Sequence, residues 1–330
     1  MPIHRLIDRY NRHLNYLRIS ITDRCNLRCV YCVPPERIPR LNHTDILRYE
    51  EILRLVTIGV GLGISKIRIT GGEPLVRKGV GHFLSAVARI AGLDEVTLTT
   101  NGVLLEENIG CIRDAGIRRI NISLDTLKRE KFSAITGRDD FDRVWSGIAA
   151  ARQAGIDPIK LNVVALRGIN DDEFLDFARL TLTQAFHIRF IEHMPIGKSR
   201  VGPKAPLLVP EIKERMASIG PLIPVEKNCA DGPAERFRLA GAAGEIGFIS
   251  ALSHHFCRSC NRLRLTASGQ LRPCLLSDRQ LDLRGPLRAG EPDESLARIF
   301  RRAVDNKPSD HALTANDPSG VRCQMSSIGG

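Results

Sequence analysis

The sequence predicts an α/β fold, an open and partial barrel of six β/α units followed by a smaller α+β extension that closes its mouth. Three observations predict it. Short β-like runs alternate with longer helical patterns through the first part of the chain. Those runs are polar on one face only. Near residue 200 the character changes, where "KSRVGPKAPLLVP" brings in proline and glycine and reads as a connecting loop.

In chain order, strands are expected at 16–21, 66–70, 96–99, 119–124, 159–164 and 187–191. Helices are expected at 49–60, where Ile52, Leu55 and Val56 share a face, and at 104–115, 141–154 and 171–182, the last carrying Phe174, Leu175 and Ala178. Strand followed by helix, repeated, argues for parallel units. Six units fall short of the eight that close a TIM barrel, so the barrel is TIM-like but open. Beyond the loop, short strands are expected at 236–239, 246–250 and 263–266, and a helix at 295–304. The chain then divides into a barrel core over 1–200 and a C-terminal region over 201–330.

The alternation carries a functional clue. In "YLRISIT", Arg18, Ser20 and Thr22 oppose Leu17, Ile19 and Ile21. "KIRIT" sets Lys66, Arg68 and Thr70 against Ile67 and Ile69, and "RINISLD" sets Asn121, Ser123 and Asp125 against Ile120, Ile122 and Leu124. In "KLNV", Lys160 and Asn162 fall together. One polar face also fits an antiparallel sheet against water. Crossover helices cover the outer face of a parallel sheet, however, so the polar face points into the lumen. A lumen lined by Arg18, Lys66, Arg68 and Lys160 suits an anion.

Lysine and arginine outnumber aspartate and glutamate by 48 to 37 in 330 residues, a formal charge of +11. Such a balance fits nucleic acid or a phosphorylated small molecule. The cations are dispersed and aromatics make up 5% of the chain, so a nucleic-acid partner is not expected. No apolar run reaches the roughly 18 residues of a membrane span, and the opening residues carry no signal-peptide core, so a cytoplasmic protein is expected. In a reducing compartment clustered cysteines are metal or redox groups more often than disulfides.

Two such clusters stand out among nine cysteines. "DRCNLRCVYC" holds Cys25, Cys29 and Cys32 at C-x3-C-x2-C spacing, directly after the first strand. Three thiolates hold three irons of a cubic [4Fe–4S] cluster and leave the fourth open to a small molecule. A zinc site with a distant fourth ligand is the alternative. "FCRSCNRLRLTASGQLRPC" places Cys257, Cys260 and Cys274 at C-x2-C-x13-C spacing, where zinc with His254 or His255 is again the alternative.

The first motif, with Tyr31 before its last cysteine, resembles the signature of the radical S-adenosylmethionine (SAM) superfamily. "TGGEP" at 70–74 resembles the superfamily's segment for the amino group of SAM. Nearly the whole chain is similar to one family within it, the GTP 3′,8-cyclases of molybdenum cofactor biosynthesis. The resemblance rests on "LRISITDRCNLRCVYC", "KIRITGGEPLVR", "TTNG", "NISLDTL", "IRFIEHMP", "IGFISALSHHFCRSCNRLRLTASGQLRPCL" and the closing "MSSIGG".

It implies a radical SAM lyase with two [4Fe–4S] clusters and SAM as cofactors. A 5′-deoxyadenosyl radical would remove hydrogen from C3′ of GTP, giving (8S)-3′,8-cyclo-7,8-dihydroguanosine 5′-triphosphate. By position, Cys25, Cys29 and Cys32 would bind the SAM cluster, and Cys257, Cys260 and Cys274 the cluster facing GTP. Tyr31, Gly72, Ser123 and Met194 match the SAM contacts. Arg18, Arg68, Thr99, Lys160, Arg262 and Arg264 match the GTP contacts, with Lys66, Arg189, Gly329 and Gly330 as additions. No side chain beyond the SAM cluster is implied as catalytic. The resemblance further implies a one-electron donor of unidentified nature, hand-over of product to cyclic pyranopterin monophosphate synthase, and a homodimer.

Each residue also has a plainer reading. Arg262 and Arg264 could form a solvated strand face, Met194 a core position and the closing glycines a frayed end. Cys111 fits an apolar helical face, and Cys229 and Cys323 have no partner spacing. At the level of the whole chain, the rivals are a peptide-modifying radical SAM enzyme with an auxiliary cluster and a zinc protein bound to nucleic acid.

Overall fold

A computed structural model describes residues 5–34, 36, 40–201, 205–226, 232–311 and 321–329. The chain forms β1 (Tyr16–Ser20), α1 (Tyr49–Gly61), β2 (Lys66–Thr70), α2 (Val80–Ala88), β3 (Glu95–Thr100) and α3 (Leu105–Asp114). It continues through β4 (Ile120–Ser123), α4 (Arg129–Thr136), α5 (Phe141–Gln153), β5 (Ile159–Ala165), α6 (Phe174–Thr183) and β6 (His187–Glu192). The C-terminal part adds α7 (Val209–Met216), β7 (Ile223–Pro224), β8 (Glu235–Arg238), β9 (Glu245–Ile249), β10 (Arg262–Leu265) and β11 (Gln270–Arg272). It ends with β12 (Leu281–Asp282), α8 (Arg284–Arg288), α9 (Asp293–Asp305) and α10 (Met325–Ile328).

All strands join one sheet in the order β12-β11-β10-β1-β2-β3-β4-β5-β6-β9-β8-β7. The six expected parallel strands run from β1 to β6. Two C-terminal strands extend them, β10 parallel to β1 at one edge and β9 parallel to β6 at the other. Antiparallel β11–β12 and β8–β7 finish the two ends, so the barrel stays open. The C-terminal strands thus continue the barrel sheet on both sides.

The strands lie within a residue or two of their expected positions because alternation is a strong signal. Leu17, Ile19, Ile67, Ile69, Ile120, Ile122 and Leu161 are wholly buried beneath the helices. Each contributes about 1.5–3 kcal/mol by leaving water. Helix α6 begins at Phe174 rather than 171. Asn170 uses its side chain on the Leu166 amide and on the carbonyls of Asp125 and Val164, and Asp171 accepts from the Gly168 amide. These local bonds make a turn of what the apolar pattern extends as helix. Helices α2, α4, α7, α8 and α10 and the short strands β7, β11 and β12 are additional to the expected elements. Helix α2 starts just after Gly79, whose φ of 78° suits a residue without a side chain, and it buries Val80, Phe83, Leu84 and Val87. Among the described residues no helix is long and apolar enough to cross a membrane.

Candidate active site

The cysteine loop after β1 is held from two sides. Arg28 and Val30 amides donate to the carbonyls of Thr136 and Ile135 at the end of α4, at 2.8 and 2.9 Å. On the other side, Gly72 and Glu73 amides donate to the carbonyls of Thr22 and Arg24, at 2.7 and 2.8 Å. A Cβ on Gly72 would come within 2.4 Å of the Arg24 carbonyl oxygen. The "TGGEP" glycine is therefore required by the backbone packing of the cysteine loop itself. Glu73 is fully buried and accepts from the Leu75 amide, Thr100 Oγ1 and the Asn101 amide at 3.0, 2.8 and 2.6 Å. Burial raises its carboxyl to about 7 against those bonds. Tyr31 donates its hydroxyl to Asp125 Oδ2 at 2.7 Å, and Asp125 Oδ1 accepts from the Val164 amide at 2.8 Å. The loop is thereby tied to β4 and β5.

Cys25, Cys29 and Cys32 are free thiols that line one large cavity. Burial pushes Cys25 up to about 11 and Cys32 to about 12, and Cys29 well above its ordinary value, helped by Asp125 and by the other thiols. Buried thiols raised in this way gain from a cationic iron group, which stabilises their thiolates. Cys257, Cys260 and Cys274 are likewise free and line the same cavity. Burial raises the Cys260 thiol, but Arg262 and then Lys307 outweigh it and hold it at about 6.

Strand register fixes where the triads stand. Tyr16 pairs with Arg262, and Arg264 with Arg272. Cys260 and Cys274 thus both sit beyond the Arg262 end of β10, whereas Cys25 follows the opposite end of β1. The rung Arg264–Arg18–Arg68 lies across β10, β1 and β2 between them. Among the described residues neither triad brings its three sulfurs within 4.8 Å of one another. A tetrahedral zinc ion would hold them about 3.8 Å apart. The wider spread fits a four-iron cube, which spaces its thiolates on separate irons. A different group, His255, Cys257 and His311, does fall within 4.8 Å. Its His255 Nδ1 lies 2.7 Å from His311 Nε2, which in turn lies 2.9 Å from the Ala251 carbonyl oxygen. His254 lies outside this group.

The cavity holds about 1130 Å³. That exceeds the roughly 300–1,000 Å³ of a site for one small molecule and leaves room for two. Tyr31, Gly72, Ser123 and Met194 line it. So do Arg18, Arg68, Thr99, Lys160, Arg262 and Arg264, together with Lys66 and Arg189. The polar strand face is therefore the lumen. Lys66 pairs with Glu95, which also binds Arg119 at 3.0 Å. Arg18 is held well below the usual arginine range by burial and by Arg264, and burial with Arg262 lowers Arg264 to about 10. Lys160 falls to about 7 through burial, then Arg189, Arg119 and Arg68.

Gly329 sits against β1 with its carbonyl oxygen 3.2 Å from Arg264 Nη1, and a Cβ there would come within 2.7 Å of Ser20 Cβ. Gly330 and Cys229 lie outside the described residues. Cys111 donates to the Asn108 carbonyl and packs against Gly81 on α2. Cys323 Sγ lies 3.1 Å from Nη1 of the wholly buried Arg272.

Several residues of the site were not marked by the sequence. Tyr16 lines the lumen with Lys66 and Arg68 over its ring at 5.4 and 5.7 Å. Asn101 donates to Asn26 Oδ1 at 2.7 Å and lies 3.8 Å from Cys25 Sγ. Buried Glu192 accepts from the amides of Val209, Leu252 and Ser253 at 2.8, 2.6 and 2.9 Å, which fixes the approach to the second triad. The hint for Glu192 was a carboxylate at the end of a parallel strand, where loops build sites.

Residues 19–181 match the Radical SAM superfamily, and residues 186–313 match Molybdenum Cofactor Synthesis C. A solved structure of Streptococcus suis SuiB bound to S-adenosylmethionine shares the fold, with a TM-score of 0.63 over 93% of this chain and 78% of that one at 13% identity. Fold, cysteine loop and glycine segment together define a radical SAM enzyme. A GTP 3′,8-cyclase from Moorella thermoacetica is 53% identical over 93% of this chain and 95% of its own length. Another from Heliobacterium modesticaldum is 49% identical over 98% of this chain and 100% of its own. The chain belongs to the GTP 3′,8-cyclase family.

Proposed function

We propose that the chain converts GTP to (8S)-3′,8-cyclo-7,8-dihydroguanosine 5′-triphosphate as the first step of molybdenum cofactor biosynthesis, using SAM and two [4Fe–4S] clusters. The observation that carries this reading is the pair of free cysteine triads at opposite ends of one lumen, with a cationic rung between them. Cys25, Cys29 and Cys32 would hold one cluster, and Cys257, Cys260 and Cys274 the other. When bound, the first cluster and SAM supply a one-electron cleavage that generates the 5′-deoxyadenosyl radical.

The chain's own part is placement. Tyr31, Gly72, Ser123 and Met194 line the space beside SAM. Arg18, Arg68, Arg262, Arg264, Thr99 and Lys160 hold the triphosphate and ribose, with Lys66, Arg189 and the tail glycines nearby. Arginine forks pair with phosphate oxygens in two parallel bonds, which fixes the ribose relative to the radical source. A one-electron donor, product transfer to cyclic pyranopterin monophosphate synthase, a homodimer and a cytoplasmic setting complete the reading.

Anaerobic reconstitution with iron and sulfide tests it. We expect about eight iron per chain, and cyclised nucleotide together with 5′-deoxyadenosine when reduced protein meets GTP and SAM. Full iron without cyclised nucleotide would sink the cyclase reading, and two zinc without iron would favour the zinc protein.

Lys160 gives a pH test. Burial, Arg189, Arg119 and Arg68 depress it to about 7, against Glu95. A bound triphosphate stabilises the ammonium and raises that value. Binding therefore takes up a proton above pH 7, and affinity falls as pH rises, by at most about tenfold per unit from this group. Calorimetry at pH 8 in two buffers of different ionisation enthalpy reads the uptake directly. Identical heats in both buffers would remove Lys160 from the triphosphate site.

A further inference from the structure

We propose that Lys307 is a positioning residue of the Cys257–Cys260–Cys274 site, and that its buried ammonium, facing Cys260, raises the reduction potential of the iron–sulfur cluster held there. This rests on the two-cluster reading above.

Lys307 follows α9 and is 2% exposed. A buried ammonium has three protons to place, and each must find an acceptor. One goes to the Arg262 carbonyl oxygen at 2.9 Å and one to the Pro273 carbonyl oxygen at 2.7 Å. The third faces the side chain of Cys260. The two carbonyls belong to the residue two past Cys260 and the residue just before Cys274. Lys307 thus ties the C-x2-C turn to the separate strand end that bears the third cysteine.

The segment after it completes the grip. The His311 backbone amide donates to the Cys257 thiol. Arg12 Nη1 donates to the carbonyls of Cys257 and Ser309 at 2.7 and 3.1 Å, and Arg12 Nη2 to that of Pro308 at 2.6 Å. Arg12 is itself fixed by buried Asp8 at 2.6 Å. The charges that face Lys307 are the sulfurs of Cys260 and Cys274 and, of like sign, Arg12. Among the described residues no carboxylate pairs with Lys307, so its counter-charge there is the cysteine site. A fixed cation beside the ligating sulfurs favours the more negative, reduced form of a cluster.

The test uses the full chain carrying Cys29→Ala, so that the second cluster alone contributes. Iron and sulfide are counted after anaerobic reconstitution, and the midpoint potential is read by EPR-monitored titration. Lys307→Met, of similar length but without charge or donors, should shift the potential to more negative values, and Lys307→Arg should restore most of the shift. About four iron in Lys307→Met with an unshifted potential overturns the proposal. Should Lys307→Met fail to hold iron, retention by Lys307→Arg supports a charge-dependent role, and loss in both overturns it. Absence of any cluster with Lys307 intact would instead defeat the two-cluster reading.

Discussion

Replacing Cys29 with alanine should abolish SAM cleavage and reduce cyclised nucleotide to background. Cys29 sits at the centre of the first triad, and its carbonyl accepts the amides of Cys32 and Val33, both at 3.0 Å. The loop around it is anchored by α4 and by the glycine segment, so it has no slack with which to recruit another ligand. The other cysteines of the barrel core do not help, since Cys111 lies on α3 against α2. Two thiolates cannot hold a cube meant for three. Iron should fall from about eight to about four per chain, and 5′-deoxyadenosine should disappear. Undiminished 5′-deoxyadenosine in the alanine variant would show that this triad does not hold the SAM cluster.

Replacing Arg264 with methionine should weaken GTP binding by about ten- to a hundredfold, the worth of about 1.5–3 kcal/mol for bonds to a charged group. The same change should make the nucleotide-free protein melt at a higher temperature. Arg264 is 5% exposed and stands directly across from Arg18, itself across from Arg68. Adjacent strands are about 4.8 Å apart, so three guanidiniums crowd one rung of the lumen. Burial and then Arg264 depress Arg18, while burial and then Arg262 depress Arg264. The free protein therefore carries strain that an anion relieves, a stability cost accepted for binding. SAM cleavage should persist. Calorimetric titration with GTP and a thermal melt decide the matter; unchanged affinity would remove Arg264 from the substrate site.

Much of this was legible because strands write their geometry at a period of two. Arg18, Arg68, Asn121 and Lys160 announced a polar lumen, and they line it. The cysteine spacings were legible because each motif is local. What stayed hidden depends on partners far along the chain. Tyr31 and Asp125 are 94 residues apart, and Glu192 meets Leu252 across 60. No local pattern marks Lys307, whose neighbours are ordinary helix-end residues. Its importance comes from packing against Arg262 and Pro273. The α6 start was misplaced for the opposite reason, since side-chain bonds from Asn170 and Asp171 overrode an apolar period that reads as helix.

The sheet order carries a consequence for how the molecule is made. Strand β1 emerges early in synthesis, yet its outer neighbour β10 arrives only near the end, and Asn15 bonds Asn261 across 246 residues at 2.8 Å. The opposite edge, β6, also waits for β9. A nascent chain that has made all six β/α units still shows two bare parallel edges, open to pairing with other chains. Such distant closure is slow. The second cysteine triad is delivered in the same late step that seals the first edge. Loading of metal at that end would thus report completion of the fold, and a chain stalled before β10 would offer only the first triad to iron.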